Sequence, residues 1–222
     1  MAGRAANLVA ALLDGIAGRA GRGGASAPSL RSLLVAIVVA GALYGAAMGA
    51  WRLEGERWKL VVFVAIKSPL LIMATTAVVL PAFFVLNTVA GLRDDFGAAL
   101  RAIFVGQAGL TLALASLAPI TQLVYLSGVG HRAAIMTNAA MFTVAAVVAQ
   151  VVMVRHYRGL IACNRKHLLM LVAWLVLYAF VGTQMGWMLR PFIGHPQIEP
   201  AFFREGAFTN AYVEVVRIVM GR

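Results

Sequence analysis

Residues 60–90, LVVFVAIKSPLLIMATTAVVLPAFFVLNTVA, are apolar apart from Lys67, Ser68 and a few hydroxyls and amides. As a single helix the stretch would reach about 46 Å, whereas the hydrocarbon core of a bilayer is about 30 Å thick. Pro69 offers a way to divide it. Proline suits the first turn of a helix and biases its predecessor away from helical geometry. The expectation is a surface helix over 54–67 followed by a membrane span over 69–90.

Working outward, four more apolar runs of spanning length appear, at about 33–51, 102–126, 133–154 and 168–189. Arg31 marks the entrance to the first, and Trp51 suits the far interface. Arg93, Asp94, Asp95 and Arg101 form a polar turn, and Ser127-Gly128-Val129-Gly130 forms a tight one. The segment 155–167, RHYRGLIACNRKH, reads as a basic loop containing the single cysteine, Cys163, expected to be an inert small residue. The predicted fold class is all-α: a polytopic integral membrane protein of about five transmembrane helices. Amphipathic surface helices are expected at the N-terminus, before span 2 and in the C-terminal tail.

The chain then divides into an N-terminal helix and linker (1–31), a five-helix membrane domain (32–190) and an interfacial tail (191–222). In the first, Leu8, Leu12 and Ile16 recur every fourth residue with Arg4, Asn7 and Asp14 elsewhere, an amphipathic pattern suited to an interface. A secretory signal is disfavoured, because Asp14 stops a short apolar run. In the tail, Asn210, Glu214 and Arg217 share one helical face over 210–220.

Composition agrees. Of 222 residues, 62% are hydrophobic and 12% charged, against roughly a quarter charged in soluble domains. That excludes a soluble enzyme, and head and tail are each too short to build a core alone. The net charge of +11 is scattered over span ends, which argues for lipid phosphates and against nucleic acid as the partner. With five spans, ten Lys/Arg fall on the N-terminal side and eight on the other. The purely basic segment 155–167 therefore places itself and the N-terminus in the cytoplasm. Sixteen arginines against three lysines fit a bacterial source and hence an inner membrane.

Gly41, Gly45 and Gly49 repeat every fourth residue in span 1, a flat stripe on which another helix can pack closely. The partner is either another span of this chain or another subunit. Thr76 and Asn87 in span 2, Gln107 in span 3 and Gln150 in span 4 are intramembrane polar groups. Such groups either hydrogen-bond between helices or line a conduit. Lys67 is the deepest cation. It is expected to snorkel to lipid phosphates, or else to pair with a carboxylate such as Asp94 or Asp95. Trp187, Arg190, Phe192, Phe202 and Phe203 form an interfacial anchor or a patch for a partner.

No nucleophile elbow, zincin helix, phosphate loop or Cys/His zinc spacing occurs. The four histidines are expected in loops, and no catalytic residue, cofactor or metal site is predicted. Lys67-Ser68-Pro69-Leu70-Leu71, leading to Pro81 and Asn87, resembles the Yip1-like multi-span proteins over about residues 60–190. The resemblance implies a scaffold that binds membrane proteins or lipids and carries no catalysis. The chain departs from that pattern in lacking a long soluble N-terminal region and in its longer tail.

The leading expectation is a non-enzymatic structural or accessory subunit, packing with partner membrane proteins or with itself and with membrane lipids. A small transporter or channel comes second, and a lipid-binding or membrane-remodelling protein third.

Overall fold

A computed structural model describes residues 28–195, 198–204 and 209–213. Among them are five α-helices, each long and apolar enough to cross a membrane. They are α1 (Leu30–Gly49), α2 (Trp58–Val89), α3 (Phe96–Leu126), α4 (His131–Cys163) and α5 (Lys166–Met188), with a 3-10 turn at Gly55–Arg57 before α2. The proposed helix over 4–20 lies outside the described residues. Of the proposed tail helix, only the start at residues 211–213 is described, and it is helical.

Ser29 caps α1, its hydroxyl accepting from the Ser32 N–H at 3.1 Å, which satisfies one of the helix's orphan donors. Arg101 donates to the Pro28 carbonyl at 2.6 Å and pins the chain entry to α3. Gly91 and Gly128 turn the chain with φ of 76° and 74°, values that glycine adopts without steric cost.

The helices follow one another up and down but do not pack in chain order. α1 is wedged between α2 and α3, which scarcely touch each other; α5 lies on α2, and α4 lies on α3. The curved row α5, α2, α1, α3, α4 is closed by a slight contact between its ends. That closure sits near the α2–α3 turn, where Phe83, Ile103, Met153, Tyr157, Met170 and Trp174 share one apolar cluster. Toward the opposite end, Tyr44, Met48, Leu60, Val64, Leu114 and Ala145 form another, with Phe192 and Ile193 of the tail laid over it.

Three expectations need correction. Residues 54–67 do not form a separate surface helix: α2 runs unbroken from Trp58 to Val89, with Pro69 and Pro81 inside it. Its 32 residues give about 48 Å. The excess length is accommodated at the N-terminal end, where the tail covers it: the Phe202 ring meets Phe63 edge-on at 5.6 Å, and Arg57 donates to the Gly194 carbonyl at 2.9 Å. Proline inside a helix costs a hydrogen bond, a loss that surrounding helices can offset in a bundle.

The segment 155–167 is not a loop either. α4 continues to Cys163, which is exposed, and only Asn164 and Arg165 link it to α5. Consequently His131 opens α4, His156 lies within it and His167 stands in the first turn of α5. Trp51, just past the end of α1, is buried, and its indole N–H donates to the Val129 carbonyl at 3.2 Å.

Candidate functional site

The glycine stripe is an internal seam. A β-carbon on Gly41 would stand 3.3 Å from the Cα of Pro69, and one on Gly49 would stand 2.9 Å from the Leu60 carbonyl oxygen. One on Gly45 would collide with the Val64 carbonyl and lie 2.8 Å from the Ser68 β-carbon. The partner of the stripe is therefore α2 of the same chain. A second seam, missed in the sequence, joins α3 to α4: Gly106 faces Met153 and Gly109 faces Val152. Its signal is the run of small residues at Ala99, Ala102, Gly106 and Gly109, all buried.

Lys67 neither snorkels nor meets a carboxylate among the described residues. Its side chain is fully buried, the ammonium donates to the Pro191 carbonyl at 3.1 Å and lies 4.9 Å from the Phe202 ring centroid. The reason is the covering tail, which supplies a carbonyl and an aromatic face where open lipid was expected. Both contacts stabilise a cation removed from water.

The other tail residues gather at the same end. The Arg190 guanidinium stacks on Trp187 at 3.4 Å, and Trp187 donates to the Thr209 hydroxyl at 3.1 Å. Phe192 packs into the apolar cluster, and Phe203 lies edge-on to Phe202 at 4.9 Å and is 44% exposed. Further along, Tyr212 stacks on Phe180 at 4.6 Å and donates to the Phe180 carbonyl at 2.6 Å. The tail leaves α5, crosses to α2 and returns to α5 as a strap.

Of the predicted intramembrane polar groups, Thr76 and Gln107 are brought together at Tyr178, whose hydroxyl donates to Gln107 at 3.2 Å and neighbours Thr76. Thr76 also bonds the Ile72 carbonyl at 2.7 Å. Asn87 bonds back to the Phe83 carbonyl at 2.8 Å. Its Oδ1, like the Oε1 of Gln150, is buried without a hydrogen-bond partner among the described residues. No hydrogen bond there joins Asn87 or Gln150 to the Tyr178 group. A stronger network was overlooked: Asn138 of α4 accepts from Tyr44 at 2.9 Å and donates to Tyr125 at 2.5 Å. Tyr125 in turn donates to the Met48 carbonyl at 3.2 Å. An amide inside an otherwise apolar run was the available clue.

Where α4 and α5 diverge, a lateral cleft opens. Its inner compartment, about 460 Å³, lies among Ile72, Thr75, Leu110, Phe142, Ala146 and Gly182. The outer compartment, about 360 Å³, lies beneath the strap among His131, Asn138, Phe142, Arg190, Phe192 and Arg204. Leu71 and Phe142 wall both, so the two adjoin. The Thr75 hydroxyl at the inner compartment is buried without a partner among the described residues.

Together these features define an all-helical protein with five potential membrane-crossing helices and a strap-covered side cleft. No family model, no curated protein and no solved structure matches the chain.

Proposed function

We propose that this is a non-enzymatic integral membrane protein that holds a lipid in the cleft between α4 and α5. The cleft carries the reading: it opens sideways, is apolar within, and reaches polar groups at the span end. Ligand sites commonly combine an apolar hollow with a few placed polar groups. The likeness of the Lys67–Asn87 stretch to Yip1-like proteins supports the same direction. Under this proposal the chain resides in a bacterial inner membrane with its N-terminus in the cytoplasm, and the strap lies on the opposite side.

The test is native mass spectrometry of protein extracted in mild detergent, comparing wild type with Gly182→Trp. A β-carbon at Gly182 meets only the Thr75 methyl, at 3.6 Å, so the backbone tolerates substitution while an indole fills the hollow. Wild type should retain about one lipid per chain through delipidation and the variant should not. Equal retention would defeat the reading, because annular lipid does not depend on Gly182.

A scaffolding role is the second reading. Half of the spanning stretch is buried in α1 and α3, against 22% in α4 and 17% in α5. The outer faces of the last two helices are thus the available docking surface for a partner subunit or a second copy. A stoichiometric partner or a homo-oligomer in the same preparation supports it; a clean monomer at all concentrations removes it.

A further inference from the structure

We propose that the inner compartment of the cleft holds the head of a lipid-soluble quinone, one ring carbonyl accepting a hydrogen bond from the Thr75 hydroxyl and the hydrocarbon chain leaving sideways between α4 and α5. This rests on the lipid-holding reading above and names the class of lipid. The step is binding alone; no bond is made or broken.

Thr75 departs from the habit of the threonines around it. Thr76 and Thr88 of α2, Thr121 of α3, Thr143 of α4 and Thr183 of α5 each donate to the carbonyl four residues earlier in their own helix, a common way to satisfy a hydroxyl inside a helix. Thr75 makes no such bond. Its side chain is 1% exposed, and its hydroxyl oxygen has no hydrogen-bond partner among the described residues. A buried hydroxyl left without an acceptor is costly, and a bound acceptor removes that cost.

Thr75 forms part of the wall of the inner compartment, and its methyl would stand 3.6 Å from a β-carbon on Gly182 of the facing helix. The other hydroxyls in that wall have their protons engaged: those of Thr143 and Thr183 in the helix bonds above, and that of Tyr178 at Gln107. The wall offers a proton and calls for an acceptor. A carbonyl oxygen supplies one without bringing a further proton to be satisfied.

Depth selects among carbonyl lipids. Lys67 bonds the Pro191 carbonyl at the strap, and Thr75 is eight residues further along α2, about 12 Å deeper at about 1.5 Å per residue. With the strap at the edge of a hydrocarbon core about 30 Å thick, Thr75 lies near the middle. A phospholipid or diacylglycerol carries its ester carbonyls at the margin of the hydrocarbon and presents methylenes at this depth. The two carbonyls of a quinone sit on a compact ring with no charge, so the ring can enter whole.

The walls also suit a flat ring. Phe142 of α4 and Tyr178 of α5 both line the compartment, and each is held by another aromatic. Phe142 lies edge-on to Tyr44 at 5.5 Å, and Tyr178 lies beside Trp174 at 5.5 Å. Aromatic faces fixed before binding favour a rigid planar ligand over a flexible chain. The volume of about 460 Å³ falls in the usual range for small-molecule sites, about 300–1,000 Å³.

The experiment offers the full chain, delipidated in mild detergent, decylubiquinone, dioleoylglycerol or phosphatidylcholine in separate arms, and reads the retained molecule by native mass spectrometry. Wild type should retain about one decylubiquinone per chain, in preference to either ester lipid. Thr75→Val should lower quinone retention by about fivefold, the worth of one neutral hydrogen bond, and Thr75→Ser should keep it. Ligand-free Thr75→Val should melt no lower than wild type, because the hydroxyl it loses has no partner to leave behind. A lower melting temperature would reveal a partner within the fold and overturn the assignment. Quinone retention indifferent to Thr75→Val, or an ester lipid retained over the quinone, would overturn the quinone and leave the cleft reading standing so long as Gly182→Trp still expels the bound lipid. Retention of nothing that Gly182→Trp removes would overturn both.

Discussion

Gly45 of α1 lies directly against the main chain of Val64 in α2, with no space for a side chain between them. The neighbouring glycines are less constrained: a β-carbon would be 2.9 Å from backbone at position 49 and 3.3 Å at position 41. Backbone cannot move aside as a flexible side chain can, so overpacking here separates the helices, at about 1–3 kcal/mol. The expected order of destabilisation by alanine is Gly45 most, Gly49 next and Gly41 least. Thermal unfolding in detergent measures it, and Gly41→Ala being the worst of the three would contradict the seam. The effect should appear in the isolated chain, because the seam lies within it.

Asn138 connects two hydroxyls from two other helices. Interhelical hydrogen bonds in membranes average only about 0.6 kcal/mol, yet an orphaned buried group costs about 1–3 kcal/mol. Asn138→Leu removes the acceptor of the fully buried Tyr44 hydroxyl, whereas Tyr44→Phe removes the donor itself. The leucine variant should therefore be the more destabilised, and combining it with Tyr44→Phe should cost less than the sum. Strict additivity in that double-mutant cycle would mean that the network is not energetically coupled.

The sequence made the number and type of elements readable, because apolar run length is a local property. The glycine stripe was also readable as a packing face, but not its partner, since four-residue spacing describes one helix surface only. What failed was non-local. Pro69 reads as a break because about 46 Å of apolar helix exceeds a hydrocarbon core, and nothing near it in the chain shows that Gly194 and Phe202 cover the surplus. Lys67 reads as a partner of phosphates for the same reason: the carbonyl it bonds is 124 residues away. The basic stretch 155–167 reads as a loop from its charge, although residues 155–163 continue α4. The cleft arises from the angle between α4 and α5, which no local pattern encodes.

Lys67 holds the strap to α2. Replacing it by methionine keeps the stem's volume and removes both the bond to Pro191 and the contact with Phe202. Eliminating a buried charge is often neutral for the fold, so the bundle should melt at nearly the wild-type temperature. The strap should be released more readily, with limited proteolysis after Arg204 accelerating by about tenfold, as expected for one lost hydrogen bond to a charged group. An unchanged cleavage rate would show that Phe63 and Arg57 hold the strap without Lys67.

Cys163 allows the orientation to be tested without engineering, being the single cysteine of the chain and exposed at the end of α4. The α2–α3 turn lies at the same end of the bundle, since Lys166 donates to the Ala90 carbonyl at 3.1 Å and His167 contacts Asp95 at 3.0 Å. The chain entry joins them through Arg101 and Pro28. One thiol therefore reports the side on which the chain enters α1, both of these connections and the basic residues Arg155, Arg158, Arg165 and Lys166. If basic segments are retained in the cytoplasm, a membrane-impermeant maleimide should leave Cys163 unmodified in intact cells and label it in inside-out vesicles. Labelling of intact cells would reverse the orientation and put the strap, Arg190 and Arg204 on the cytoplasmic leaflet. There the anionic lipids would themselves favour juxtamembrane arginines, so that result would change which leaflet supplies the lipid without altering the cleft.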